Sequence, residues 1–386
     1  MTGAPVQSSA PPRSDPRVAA EIFLWSRAAI WLGAVFAFLW FEPKPTPLAG
    51  SWDRPEFHDL GYGLDVWARW DTQWFVHVAK HGYDSAPEVP AFFPLYPSLL
   101  GVLARALGGH YVLAGVAISL AAAFAAFLLL YRLAEEKLGA ESARRAVLYL
   151  AIFPMSLFLQ AVYSESLFLL LALAAFVLAE RGRFGWAGVA TGLALLTRAS
   201  GVALLPALVL LAWPSRWAIA RLSIAPLLFL LYPLMLWSEG RDAFAWRHAE
   251  ADVWHRHLTL AGPFRGLWLG LTHWHPSGTN AQHAAMVNLE CWLFLLLFAA
   301  LTVIAWRRLG APYGLYAALS LLLPLSTPSE RWPLESIPRF GLVVFPFFLA
   351  LAVLGDRPRV HNVIVSVSAM LLGVAVVQWV LYQWVA

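Results

Sequence analysis

Long apolar runs separated by short polar loops recur along the chain from residue 21 to residue 384. They cover 21–41, 111–131, 146–162, 164–179, 184–197, 201–213, 222–237, 284–306, 313–325, 340–354 and 363–384. Read as α-helices, they predict an all-α polytopic membrane protein with about eleven transmembrane helices. The run at 92–107 is only 16 residues long, with Arg105 near its end. A span needs roughly 20 residues. The parity of the flanking loops places this run as a helix lying in, or dipping into, the outer leaflet.

The loops sort by charge. Arg132, Lys137, Arg144 and Arg145 follow one run, Arg181 and Arg183 another, and Arg307, Arg308, Arg357 and Arg359 later ones. Basic loops are expected on the cytoplasmic side. Residues 1–20, rich in Pro, Ser and Ala with Arg13 and Arg17, read as a disordered cytoplasmic tail. The first run reads as an uncleaved anchor. Residues 21–386 then form one transmembrane domain of a multi-pass cell-membrane protein, its N-terminus cytoplasmic. Two large loops face outward, at 42–110 and at 238–283.

Composition agrees with this pattern. The chain of 386 residues is 60% hydrophobic and 13% charged, against roughly 25% charged in soluble domains. Its single cysteine, Cys291, excludes a disulfide framework. The chain has no Walker loop, no GxGxxG after a strand and no CxxC. No nucleotide cofactor and no nucleic-acid partner is expected.

The first outer loop holds the densest chemistry. Between Asp65 and Lys80 lie Asp65, Arg69, Asp71, His77 and Lys80. A helix over 64–80 would gather Leu64, Trp67, Asp71, Trp74, Phe75 and Val78 on one face. Asp71 then sits within an apolar stripe, where a carboxylate is costly unless paired or facing a water-filled site. Either Arg69 or a backbone cap satisfies it, or it is a catalytic or ligand-binding carboxylate at the membrane surface.

Other ionisable groups fall at outer helix ends, including Lys80, His81, Asp84, Glu165, Arg198, Asp242, Arg247, Arg331, Glu335 and Arg339. Such a set fits transfer from a lipid phosphate. Guanidinium forks hold the phosphate leaving group, and a carboxylate takes the proton of an incoming hydroxyl. Each residue also has a structural reading. Arg198 and Arg339 are either phosphate ligands or arginines snorkelling to the headgroups. Glu165, in a tight turn, is either a site residue or a first-turn anion. Trp246, Trp254, Trp268 and Trp274 either stack on sugar rings or anchor the interface. His255 with His257, and His273 with His275, form two HxH pairs, but no Cys or HExxH accompanies them and no metal is expected.

Several motifs resemble the PIG-V mannosyltransferases. Arg69-Trp70-Asp71, His81-Gly82-Tyr83 and Phe92-Phe93-Pro94-Leu95-Tyr96-Pro97 are similar to that family's first luminal loop. Tyr163-Ser164-Glu165-Ser166-Leu167-Phe168, Leu196-Thr197-Arg198-Ala199-Ser200-Gly201 and Ser336-Ile337-Pro338-Arg339-Phe340 follow in order. Ser200 departs from the family pattern, in which Asn is common. The resemblance implies a GT-C type fold with amphipathic helices in the first external loop. It implies an inverting transferase using a polyprenyl-phosphate sugar on the extracytoplasmic face, without nucleotide sugar. It maps the family's loop Asp to Asp71, its turn Glu to Glu165, and its helix-end arginines to Arg198 and Arg339.

The expected function is therefore transfer of mannose, or another hexose, from a polyprenyl-phosphate donor to a glycan or glycolipid acceptor. Asp71 is the expected general base, with Glu165 in support and Arg198 and Arg339 on the phosphate. Arg69, Trp70, His81, Tyr83, Tyr96 and Tyr163 are expected to bind substrate. The expected partners are the donor, the acceptor and membrane lipid. A flippase for a lipid-linked sugar would share the arginines, but would carry paired inverted repeats. A non-catalytic subunit of a glycosylation complex would tolerate loss of Asp71.

Overall fold

The computed structural model describes residues 15–41, 54, 57–58, 60–84, 86–272, 281–329, 332–334 and 336–385, the side chains of 281–284 excepted. Most of the expected tail, His273, Trp274, His275, Arg331 and Glu335 lie outside the described residues. Within them the only extended pairing is a bridge between Arg256 and Ser329, and all else regular is helical.

The chain opens with α1 (Arg17–Phe41), which begins four residues before the expected start at 21. The first outer loop follows, with α2 (Tyr62–Asp65), α3 (Thr72–His81) and α4 (Leu95–Ala106). At 1.5 Å per residue, the 12 residues of α4 reach about 18 Å, well short of a roughly 30 Å hydrocarbon core. Next come α5 (Tyr111–Leu138), α6 (Ala140–Ile152), α7 (Glu165–Glu180), α8 (Phe184–Leu195) and α9 (Leu204–Ala212). The run to Ser238 is jointed into α10 (Arg216–Leu222), α11 (Ile224–Phe229) and α12 (Leu231–Ser238). The second outer loop contains α13 (Ala245–His248), a π-turn over Ala249–Val253 and α14 (Pro263–Thr272). The last five are α15 (Ala281–Leu309), α16 (Ala311–Ser326), α17 (Ile337–Leu342), α18 (Pro346–Leu354) and α19 (Pro358–Val380).

Among the described residues, five helical stretches suffice by length and composition to cross a membrane: 17–41, 111–138, 216–238, 285–309 and 358–380. Of the other expected crossings, 164–179, 184–197 and 313–325 are the single shorter helices α7, α8 and α16, and others are broken. Proline accounts for two of the breaks, because it disfavours helix at the residue before it. Pro154 ends α6 after Ile152, where a one-turn 3-10 helix, Ser156–Leu159, replaces the expected run to 162. Pro346 separates α17 from α18.

The packing has a centre and a rim. Around α7, Phe168, Ala172, Ala175 and Phe176 are all at most 1% exposed, and α18 is buried from Pro346 to Ala352. A helix that is apolar all round belongs at the centre of a bundle. The rim exposes large apolar side chains: Leu24, Leu32 and Leu39 of α1, Leu227 and Leu234 of α11 and α12, and Val363 and Met370 of α19. That belt is the face a bilayer would cover. Arg27 points inward from α1, donating to the Ser156 and Ala151 carbonyls at 2.7 and 2.9 Å and to Ser156 Oγ at 2.6 Å. It takes up acceptors freed by the break after α6, as a buried cation in a membrane helix must.

The two ends of the bundle differ. At one, Lys137 pairs with Glu180 at 2.7 Å, Arg181 with Glu136 at 3.1 Å, and Arg145 with Asp356. At the other, the end of α19 folds over the first outer loop. Trp379 Nε1 donates to the Val66 carbonyl at 2.7 Å, and Trp384 packs edge-on to Trp70 with centroids 5.4 Å apart.

Candidate active site

The expected continuous helix over 64–80 is interrupted. α2 ends at Asp65 and α3 starts at Thr72, with Trp70 between them at φ +49°. A bulky residue in the left-handed region is strained unless the surroundings impose it. Here they do. Arg69 Nη1 donates to the carbonyls of Asp65 and Ala68 at 3.2 and 3.0 Å, and its guanidinium lies 4.1 Å from the Tyr382 ring centroid. Arg69 therefore ties off the turn and does not satisfy Asp71.

Asp71 stands at the N-terminal end of α3, and a second loop holds its backbone. Asp71 N–H donates to the Tyr163 hydroxyl at 3.0 Å, and that hydroxyl donates to the Arg69 carbonyl at 3.2 Å. Thr72 Oγ1 donates to the Val162 carbonyl at 3.3 Å, and Val162 N–H donates to the Trp67 carbonyl at 3.0 Å. The 160–163 loop is fastened in turn to α5, where Ser119 Oγ donates to the Ala161 carbonyl at 2.7 Å. Gly115 permits the close approach, since a Cβ there would run into the Val162 side chain.

The side chain of Asp71 turns to the far end of the chain. Arg339 Nη1 donates to Asp71 Oδ2 at 2.8 Å. Arg339 Nε lies 3.8 Å from Glu165 Oε1, which accepts from Arg198 Nη1 at 2.6 Å. The result is a row of alternating charge: Asp71, Arg339, Glu165, Arg198. Glu165 is its buried middle, with a side chain 1% exposed, whereas Asp71 and Arg198 are 17% and 18% exposed. Glu165 Oε2 has no hydrogen-bond partner among the described residues. Arg198 does not snorkel outward; it turns in to Glu165 and to Ser164 Oγ at 3.3 Å. Glu165 is also the first residue of α7, so the helix N-terminus favours its charge as well.

Of the other expected substrate residues, Tyr163 is part of this frame. Trp70 adjoins it but packs on Trp384. Tyr96 is fully buried, with its hydroxyl 3.4 Å from the Gly115 carbonyl and Ser119 Oγ. It braces α4 on α5 and makes no hydrogen bond to the charged row. His81 is exposed at the end of α3, its ring 5.0 Å from that of His77. Tyr83 donates to the Phe92 carbonyl at 2.5 Å and lines a cavity of about 590 Å³ with Asp84, Glu239, Arg241, Asp242 and Asp252. A physical reason is plain for the two tyrosines alone: the Tyr83 and Tyr96 hydroxyls each donate to a backbone carbonyl nearby.

Two charged residues escaped sequence reasoning. Glu250, on the π-turn of the second outer loop, faces Arg256, Arg198 and Asp71. Burial holds its carboxyl above the usual range; Arg256 and Arg198 oppose that, and Asp71 adds to it. Arg256 reaches over the Phe340 ring at 5.8 Å from the centroid, the same distance at which Arg198 and Arg339 stand. Neither residue carries a local motif, and only the folding of the second loop onto the first reveals them. Among the described residues no group of three or more His, Cys, Asp or Glu side chains is arranged to hold a metal.

Comparison with known proteins adds a family. Residues 62–211 match the family model described as Mannosyltransferase (PIG-V), a stretch holding Asp71, Tyr163, Glu165 and Arg198. Over that stretch the chain is similar to the PIG-V mannosyltransferases. It is 36% identical over 173 residues to the GPI alpha-1,6-mannosyltransferase 2 of Rattus norvegicus, covering 42% of this chain and 34% of that protein. The Homo sapiens counterpart is 36% identical over 132 residues, 32% of this chain and 26% of that protein. The match thus spans about a third of the length of these curated relatives (34% and 26%). Among solved structures, the chain is similar to ArnT from Cupriavidus metallidurans bound to undecaprenyl phosphate. That similarity has 18% identity and a TM-score of 0.46, over 74% of this chain and 53% of that one. It is also similar to the apo oligosaccharyltransferase of Archaeoglobus fulgidus, at 13% identity and a TM-score of 0.42. That likeness covers 93% of this chain and 56% of the other.

Proposed function

We propose that this PIG-V relative is an inverting membrane glycosyltransferase. It moves mannose, or another hexose, from a polyprenyl-phosphate sugar to a hydroxyl of a glycan or glycolipid acceptor. The observation that carries the reading is the Asp71–Arg339 pair, which puts a carboxylate and a phosphate-binding guanidinium 2.8 Å apart at one end of the bundle. Arg339 engages only Oδ2; among the described residues Oδ1 accepts no hydrogen bond.

The chemistry follows from that arrangement. The acceptor hydroxyl gives its proton to Asp71 as its oxygen forms the new bond to the anomeric carbon. The bond from that carbon to the phosphate oxygen breaks on the opposite face, which inverts the centre. The polyprenyl phosphate departs with the electron pair, and Arg339 and Arg198 stabilise its added charge. Glu165, buried between the two arginines, holds both forks in place.

The basic residues of the opposite end, Lys137, Arg145 and Arg181 among them, support a cytoplasmic placement there. The Asp71 end is then extracytoplasmic, in the cell membrane, where lipid supplies the donor. The test uses purified protein in lipid nanodiscs, a polyprenyl-phosphate mannose and a panel of glycan and glycolipid acceptors. Formation of a glycosylated acceptor together with free polyprenyl phosphate supports the reading. No transfer to any acceptor, with binding of the donor intact, would favour a carrier or an accessory subunit instead.

A further inference from the structure

The four residues of the charged row cancel one another. Arg339 is committed to Asp71 at 2.8 Å and Arg198 to Glu165 at 2.6 Å, so formal charges there sum to zero. A neutral cluster offers an arriving phosphate no net charge, and each of its guanidinium groups already gives an N–H to a carboxylate. Arg256 differs. Glu250 faces it, but its guanidinium hydrogen-bonds to no carboxylate among the described residues, and it stands beside the row, 5.8 Å from the ring that Arg198 and Arg339 also flank.

The second loop holds Arg256 there by its backbone. Arg256 N–H donates to the Glu250 carbonyl at 2.8 Å, and the residue bridges to Ser329, shortly before α17. Trp254 packs edge-on to Phe92 of the first loop, with centroids 6.0 Å apart. The intervening His255 takes a left-handed φ of +53°, and the preceding turn is a π-turn, a form frequent at functional sites. The backbone is thus anchored on both sides while the fork is left with unused donors.

We propose that Arg256 is the primary anchor for the phosphate of the lipid-linked donor, completing a fence of three guanidinium groups around Phe340. This rests on the glycosyltransferase reading for the identity of the donor. It adds that ground-state capture of the phosphate belongs to the second outer loop. Arg339 and Arg198, each already paired with a carboxylate, act chiefly as the leaving group gains charge.

The experiment compares wild type, Arg256→Ala and Arg256→Lys in nanodiscs. It measures donor KM and kcat, and separately the affinity for a polyprenyl monophosphate by intrinsic tryptophan fluorescence. The expected result for Arg256→Ala is a donor KM raised roughly 10- to 100-fold, the scale of one lost charge-assisted bond, with kcat within about twofold of wild type. Arg256→Lys should fall between the two, which also shows that the loop still folds. Inorganic phosphate and nanodiscs rich in phosphatidylglycerol serve as competitors. Competition by the polyprenyl monophosphate alone supports a donor site, and equal competition by either of the others overturns it. An unchanged donor KM in a protein that transfers sugar overturns the Arg256 assignment and leaves the glycosyltransferase reading standing. If wild type transfers nothing, that reading fails and the monophosphate decides alone. Weaker binding by Arg256→Ala supports the anchor, and equal binding overturns it.

Discussion

Asp71 and Arg339 are separated by 268 positions in sequence and meet at 2.8 Å. The contact joins the start of α3 to the short α17 near the end of the chain. Neither partner has another charge-assisted bond as short, so each depends on the other for its orientation.

Replacing Asp71 with Asn keeps the shape and removes the proton acceptor. Transfer should drop by about 10²- to 10⁴-fold, the usual contribution of a positioned general base. Donor binding should stay near wild type and the protein should remain folded in detergent, with a lower melting temperature because Arg339 loses a charged partner. Activity close to wild type would remove Asp71 from the mechanism.

Arg339→Ala strips Asp71 of its cation and leaves the buried Glu165 with Arg198 alone. Breaking a buried pair from one side costs about 3–5 kcal/mol, so the variant should lose both activity and thermal stability. Arg339→Lys restores a charge without the fork, and should recover stability ahead of kcat. Thermal melting and steady-state kinetics on the same preparations measure the two separately.

Tyr163→Phe removes one hydroxyl that links two loops, accepting from Asp71 N–H and donating to the Arg69 carbonyl. The expected stability loss is about 1–3 kcal/mol, since the Asp71 N–H is left without its acceptor, while the Arg69 carbonyl keeps Thr72 N–H at 3.1 Å. Its kinetic mark should be a lower kcat with donor KM little changed, because the hydroxyl positions Asp71 and does not face the phosphate.

Glu250 sets a pH dependence. Burial first, with Asp71 in support, raises its carboxyl above the ordinary range against the pull of Arg256 and Arg198. A group that holds its proton more tightly when folded stabilises the fold below its unfolded value. That stabilisation is lost as pH rises through the folded value. The melting temperature of wild type should therefore decline, relative to Glu250→Gln, as pH rises from the ordinary glutamate range, about 4.3, towards neutral. The two should converge in acid. Parallel curves across that range would show that the carboxyl does not titrate differently in the folded protein.

Much of the architecture is local and so was legible before folding. Apolar runs report helices wherever lipid or a bundle core must cover them, and basic loops mark one end. Pro154 and Pro346 already carry the reason two of the expected crossings are broken. Asp71, Glu165, Arg198 and Arg339 stood out because each is a charge at the edge of an apolar run, where charge is expensive. The expected helix over 64–80 was not legible, because what interrupts it at Trp70 is a set of distant contacts with Tyr382, Trp384 and Tyr163.

By itself the chain of residues determined a helical membrane protein with its charge gathered at helix ends, since hydrophobic period and charge placement are written locally. Which charges face one another was decided only in three dimensions. The Asp71–Arg339 pair and the Glu165–Arg198 pair form because loops far apart in sequence are packed at one end of the bundle. Glu250 and Arg256 join them because an irregular outer loop folds back over that end. No periodicity marks such a loop, so its residues acquire a role only from what they come to rest against.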